Sequence, residues 1–236
     1  MVSKAIGYLT GMVVYLLVSL GVSFYLVSTY NLVWWMFFLL SGIFLLAGAH
    51  WSEIFEPSEL VDLGYATVMM SAAVWLAFGG RNFEFATILG SIAISGLIVH
   101  ELSHKAIGLG FGKPARFSAF YTLNLISVGL VYATGFLFLS PGAVMDEAVT
   151  DRVHGIVAAA GPISNIVLAV GFLGISGYYP KIALIGVIVN TALAGFNMLP
   201  LPPFDGSHVW KWNVGAYLLI TGIIGGFGYQ LFTTLT

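Results

Sequence analysis

Cysteine is absent from this chain of 236 residues. Disulfides are therefore excluded, and any metal must be held by nitrogen and oxygen. Charge is almost as scarce: 8% of the residues are Asp, Glu, Lys or Arg, against about 25% in soluble domains. Eight basic and ten acidic residues leave a net charge of −2, which gives no reason to expect a nucleic acid partner. No repeat or low-complexity segment is apparent. Apolar residues make up 59% of the chain. Such proportions predict a multi-pass membrane protein, solvated by the lipid bilayer, with little water-exposed domain.

After Lys4 no charge occurs before Glu53. That stretch holds two spans of about 20 residues each, near 6–27 and 32–50, divided by Ser28–Asn31. The first is too long for a signal-peptide core and lacks an obvious cleavage site, so it is expected to be retained. An acidic connection follows, with Glu53, Glu56 and Glu59. Further spans are expected near 61–79, 85–108, 153–176, 182–199 and 213–233. Residues 114–142 are ambiguous. Phe117 to Leu139 is uncharged and long enough to span, but it is rich in Phe, Tyr, Thr and Val. Ser127-Val128-Gly129 offers a turn at its centre, so a hairpin of two apolar strands fits as well as a helix.

Within the span at 85–108 lies His100-Glu101-Leu102-Ser103-His104. Positions i and i+4 share a helix face, so both imidazoles can grip one ion, with Glu101 beside them. This is the HExxH pattern of zinc hydrolases, with histidine ligands and a glutamate general base. The alternative is a histidine pair used only for packing. Burying three ionisable groups in lipid for that purpose alone would cost several kcal/mol.

A catalytic zinc takes a third protein ligand and keeps an open position. The span at 182–199 breaks at Pro200, Pro202 and Pro203, and Asp205-Gly206 follows. Asp205 is the only acidic residue beyond Asp151. It is the candidate third ligand; otherwise it caps a short helix starting at Gly206. Gly161-Pro162-Ile163-Ser164-Asn165 interrupts the preceding span, and Asn165 suits either the site or the joining of two helices. His208 is a candidate fourth ligand or proton shuttle. His50 and His154 fall at span ends, where an interfacial place suffices.

HExxH in one span, Gly-Pro-x-x-Asn in a later one and Asn197-x-x-Pro200 leading to Asp205-Gly206 together resemble the site-2 protease family of intramembrane zinc metalloproteases. The likeness covers about residues 60–236. It implies Zn2+ held by His100, His104 and Asp205, Glu101 as the catalytic base, and Asn197 as a substrate-binding residue. It also implies a membrane-associated β-hairpin at about 114–140. The chain departs from the family in three ways. Residues 1–59 would add two N-terminal spans, PDZ or CBS domains have no room, and a single span follows the Asp-Gly turn.

The expected architecture is thus an all-α polytopic membrane protein of about seven transmembrane helices, with the hairpin after the HExxH helix. The expected reaction is hydrolysis of peptide bonds in single-span membrane proteins. The family keeps its site toward the cytosol of the cell membrane. That orientation puts Lys4, Lys105, Lys113, Arg116, Arg152 and Lys211 inside and Arg81 and Lys181 outside, as the positive-inside rule asks. The count holds only if 117–139 does not cross. Two rivals remain. A prenyl-protein-processing type of zinc protease would need a downstream glutamate ligand, and Glu147 is the only one on offer. A transporter or scaffold could also use broken helices and membrane-embedded charge.

Overall fold

The computed structural model describes residues 56–77, 96–113, 116–139, 142–145 and 150–235. The expected spans at 6–27 and 32–50, and most of the first half of that at 85–108, lie outside the described residues. The described elements are α1 (Pro57–Ala77), α2 (Ile98–Gly110), β1 (Arg116–Ala119), α3 (Tyr121–Thr134), β2 (Gly142–Met145), α4 (Asp151–Gly174), α5 (Pro180–Asn197), α6 (Asp205–Trp212) and α7 (Val214–Leu235).

Local chemistry sets the helix ends. Pro57 opens α1, where its missing N–H costs nothing, and the Glu59 carboxylate reaches back to the Glu56 N–H at 2.8 Å. Thr150 caps α4 by accepting from the Val153 N–H. Pro180 starts α5. Asn213 Oδ1 accepts from the Ala216 N–H at 2.9 Å and so begins α7. Four helices, α1, α4, α5 and α7, are long and apolar enough to cross a membrane. The protein is accordingly a membrane protein, mostly helical. Half of the apolar window of α5 is buried, 50%, against 11% for α7. α5 is thus an inner helix, and α7 turns Leu218, Leu219 and Ile223 outward.

The segment 114–142 differs from the expectation of two apolar strands. Its centre is helix α3, and Ser127-Val128-Gly129 lies inside that helix rather than at a turn. Ser127, from the expected turn, and two other polar side chains of the segment each hydrogen-bond a carbonyl. Asn124 donates to Phe120 O at 2.9 Å, Thr134 to Leu130 O at 2.7 Å, and Ser127 to Phe138 O. Gly135, at φ 74°, ends the helix in the left-handed region. The strands that do form flank the helix: β1 pairs antiparallel with β2, Arg116 opposite Met145 and Ala119 opposite Gly142.

Two apolar clusters frame the protein. Leu63, Met70 and Val74 of α1 meet Leu102 of α2, Phe117 of β1 and Ile185, Val189 and Leu193 of α5. Ala158 and Ala159 of α4 meet Met198, Val209 of α6 and Ile220 of α7. α2 crosses between the α1 side and α4, and α6 folds back onto α4. That crossing is where the HExxH face and the Asp-Gly turn come together.

Candidate metal centre

His100 and His104 project from one face of α2, with their Nε2 atoms 3.0 Å apart. Asp205, the first residue of α6, brings Oδ2 to 3.3 Å from each Nε2. The three ligand atoms lie within 4.8 Å of one another, and among the described residues no other group of histidine and carboxylate could hold a metal ion. Both imidazoles are nearly fully buried.

Each imidazole is aimed by its other nitrogen. His104 Nδ1 donates to the Val157 carbonyl at 2.8 Å, and His100 Nδ1 lies 2.6 Å from Asn165 Oδ1. Oxygen partners at both Nδ1 atoms leave the two Nε2 lone pairs for a cation. Val157 and Asn165 flank Pro162, which lies in the interior of α4. A proline there removes one helical hydrogen bond and crowds the carbonyl four residues earlier. The helix loosens next to the carbonyl that His104 uses.

Two buried oxygens in this centre, Asp205 Oδ2 and Glu101 Oε2, accept no hydrogen bond from the described residues. Unpaired buried carboxylate oxygens are costly, and a cation at the Nε2 atoms would compensate the first. Burial pushes the Asp205 carboxyl up, but His104 and His100 outweigh it and hold the group below the usual carboxylate range.

Close approach explains two glycines. A Cβ on Gly161 would lie 2.5 Å from His100 Nε2 and nearer still to His104 Nε2. The bare helix surface there leaves the space into which the imidazoles point. A Cβ on Gly206 would run into the Met198 carbonyl and lie 2.6 Å from Leu199 O. Glycine lets α6 start against the end of α5, which delivers Asp205 to the histidines.

Over 189 residues, 75% of this chain, the sequence is 34% identical to Putative zinc metalloprotease MJ0611 of Methanocaldococcus jannaschii and covers 97% of that protein. This chain belongs to that family. It is also 30% identical over 192 residues to Putative zinc metalloprotease sll0528 of Synechocystis. To Putative zinc metalloprotease Rip2 of Mycolicibacterium smegmatis it is 33% identical over 132 residues. The chain spans about half the length of these two relatives, 46% and 51%. No family model matches the chain, and no solved structure matches it.

Of the residues singled out in the sequence, His100, His104 and Asp205 come together, with Asn165 on His100. Glu101 is buried on the same helix. Asn197 is buried and donates one amide hydrogen to Leu193 O of its own helix at 3.1 Å. His208 does not join the three; it stacks on His154 with ring centroids 3.8 Å apart. Burial and the neighbouring His154 lower its pKa. Glu147 lies outside the described residues.

Sequence reasoning missed a second polar cluster beside the site. Glu59 is 1% exposed. It takes Lys105 Nζ at 2.9 Å on one oxygen and 3.0 Å on the other, and the Phe117 N–H at 2.8 Å. One turn along α1, Asp62 accepts from the Ala119 N–H at 3.2 Å and from the Tyr121 hydroxyl. The only signal was a pair of acids three apart at a span end, which reads equally well as interfacial charge. Asn190 was missed too, because a lone asparagine in an apolar span carries no spacing.

Proposed function

We propose that the chain is an intramembrane zinc metalloprotease of the site-2 protease type, cutting peptide bonds of single-span membrane proteins. The carrying observation is the convergence of His100, His104 and Asp205 next to Glu101, whose Oε2 has no hydrogen-bond partner among the described residues. Two imidazoles and a carboxylate suit Zn2+, and three protein ligands are what a catalytic zinc has. The printed names of the relatives support the same metal. When bound, zinc supplies Lewis acidity, polarising a carbonyl and making water acidic.

Glu101 takes a proton from the attacking water at Oε2 and passes it to the leaving amine. Its Oε2 has no hydrogen-bond partner among the described residues, which suits a working base. Asn197 has a second amide hydrogen to offer a substrate carbonyl.

A helical substrate hides its carbonyls and must unwind before cleavage. Its freed backbone groups then need partners in lipid, and a sheet edge provides them. The N–H groups of Phe117 and Ala119 already bond Glu59 and Asp62, so the outer edge of β1 is covered. By the pairing, Arg116 and Ser118 face β2 through Met145 and Ala143. Val144 and Gly142 therefore turn their backbone groups to the outer edge of β2, where no strand pairs among the described residues. That edge is the proposed seat of the extended substrate.

Purified Glu101→Gln tests the reading on a single-span peptide. Cleavage should fall about 100-fold or more, with zinc content unchanged. Retained turnover would remove Glu101 from the base role, and loss of zinc would make it a ligand.

A further inference from the structure

Behind His100 a line of side-chain amides crosses three helices. Asn165 Oδ1 of α4 meets His100 Nδ1 of α2 at 2.6 Å. Asn165 Nδ2 donates to Gly96 O at 3.0 Å and to Asn190 Oδ1 of α5 at 2.9 Å. Asn190 Nδ2 donates to Gly186 O at 2.8 Å. Both asparagines are 0% exposed.

The orientation of each group follows from the far end. A backbone carbonyl only accepts, so the Asn190 NH2 faces Gly186 and its Oδ1 faces α4. An amide oxygen also only accepts, so the Asn165 NH2 faces Asn190 and its Oδ1 faces His100. In the neutral imidazole, an acceptor at Nδ1 requires the proton there and leaves Nε2 unprotonated. Turning the Asn165 amide over would set oxygen against oxygen at both Asn190 and Gly96. It would also place a donor against Nδ1, favouring the tautomer whose Nε2 cannot bind a cation.

We infer that Asn190 is a positioning residue for the metal centre: acting through Asn165, and together with the Gly96 carbonyl, it favours the His100 tautomer that presents a lone pair at Nε2. The inference rests on the zinc reading above and extends it to a residue that touches neither the ion nor a ligand.

Cobalt(II) binding by the detergent-solubilised full chain, followed by its visible absorption and by competition with zinc, tests it. Asn190→Leu removes the acceptor and should weaken cobalt about tenfold, at the low end of the range for outer-shell partners. The decisive arm is Asn165→Asp. A carboxylate accepts from Nδ1 either way round and donates nothing, so orientation no longer matters. In that background Asn190→Leu should cost nothing, or bind cobalt more tightly by removing an oxygen that faces the carboxylate. A packing role would cost the same in both backgrounds, and that result overturns the inference. Asn190→Asp keeps the acceptor, so a folded Asn190→Asp chain that has lost cobalt also overturns it. If wild type and Asn190→Leu bind cobalt alike, this inference alone falls. If wild type binds none, or binds it as well after His104→Ala, the zinc reading falls and this inference with it.

Discussion

Gly161 sits where α4 faces the two imidazoles, and a single methyl group there would run into both Nε2 atoms. Alanine stabilises a helix interior over glycine by about 1 kcal/mol, so local propensity favours the change that the centre forbids. Gly161→Ala should therefore keep the fold and lose bound zinc about tenfold or more, read by metal analysis beside a thermal melt. A chain that keeps full zinc would mean that the imidazoles can move aside. The histidines were legible in the sequence because i, i+4 spacing is a property of one helix. Asp205 was legible only in company with HExxH, because a lone acid after a proline break serves equally well as a helix cap. Asn190 and Lys105 were not. Their meaning lies in partners 25 and 46 residues away, and nothing local marks a buried asparagine or a buried lysine from an interfacial one.

Among the elements, the unit made by α1, β1 and α2 depends on Glu59. Its carboxylate serves the first turn of α1, the edge of β1 and Lys105, the residue next to His104. Glu59→Gln leaves a buried ammonium without its counter-charge, which typically costs about 3–5 kcal/mol. Unfolding should become correspondingly easier, and adding Lys105→Met should recover part of the loss. Equal destabilisation by the single and double changes would mean that the charge pair is not the cause. The same contacts decide how the sheet can be tested. Proline tolerates an edge position whose N–H is unpaired, and it breaks a paired one. Val144→Pro should cut cleavage sharply at unchanged zinc and stability, whereas Ala143→Pro should unseat β2. Normal cleavage by a folded, zinc-loaded Val144→Pro chain would exclude strand addition at β2. Thr122 and Thr134, natural choices for a hairpin within 117–139, both lie in α3. Composition misled there because Ser, Thr and Asn look the same whether they shape a turn or bond a nearby carbonyl from within a helix.

Over the described residues of the molecule, four expected spans coincide to within a few residues with helices long and apolar enough to cross a membrane. α1, α4, α5 and α7 lie where 61–79, 153–176, 182–199 and 213–233 were expected. Sidedness rests on less. Lys105, counted as an inside charge, is 6% exposed and paired with Glu59, so it is no marker of the interface. Lys4, Lys113, Arg116, Arg152 and Lys211 still outnumber Arg81 and Lys181, and the antiparallel pairing adds an argument independent of charge. β1 and β2 put Arg116 opposite Met145, so the chain between them goes out and comes back. α3, at 14 residues, rises about 21 Å, short of the roughly 30 Å hydrocarbon core. Residues 113 and 152 are therefore predicted to lie on one face, with Tyr178 on the other, beyond the 24 residues of α4, about 36 Å. Single cysteines at these three positions have no natural cysteine to compete with them. In intact cells an impermeant maleimide should label position 178 at once, and positions 113 and 152 only after the membrane is opened. Labelling of 113 and 152 from opposite faces would mean that 114–142 crosses. Labelling of both from outside would keep the return of the chain and reverse the orientation, moving the metal centre away from the cytosol.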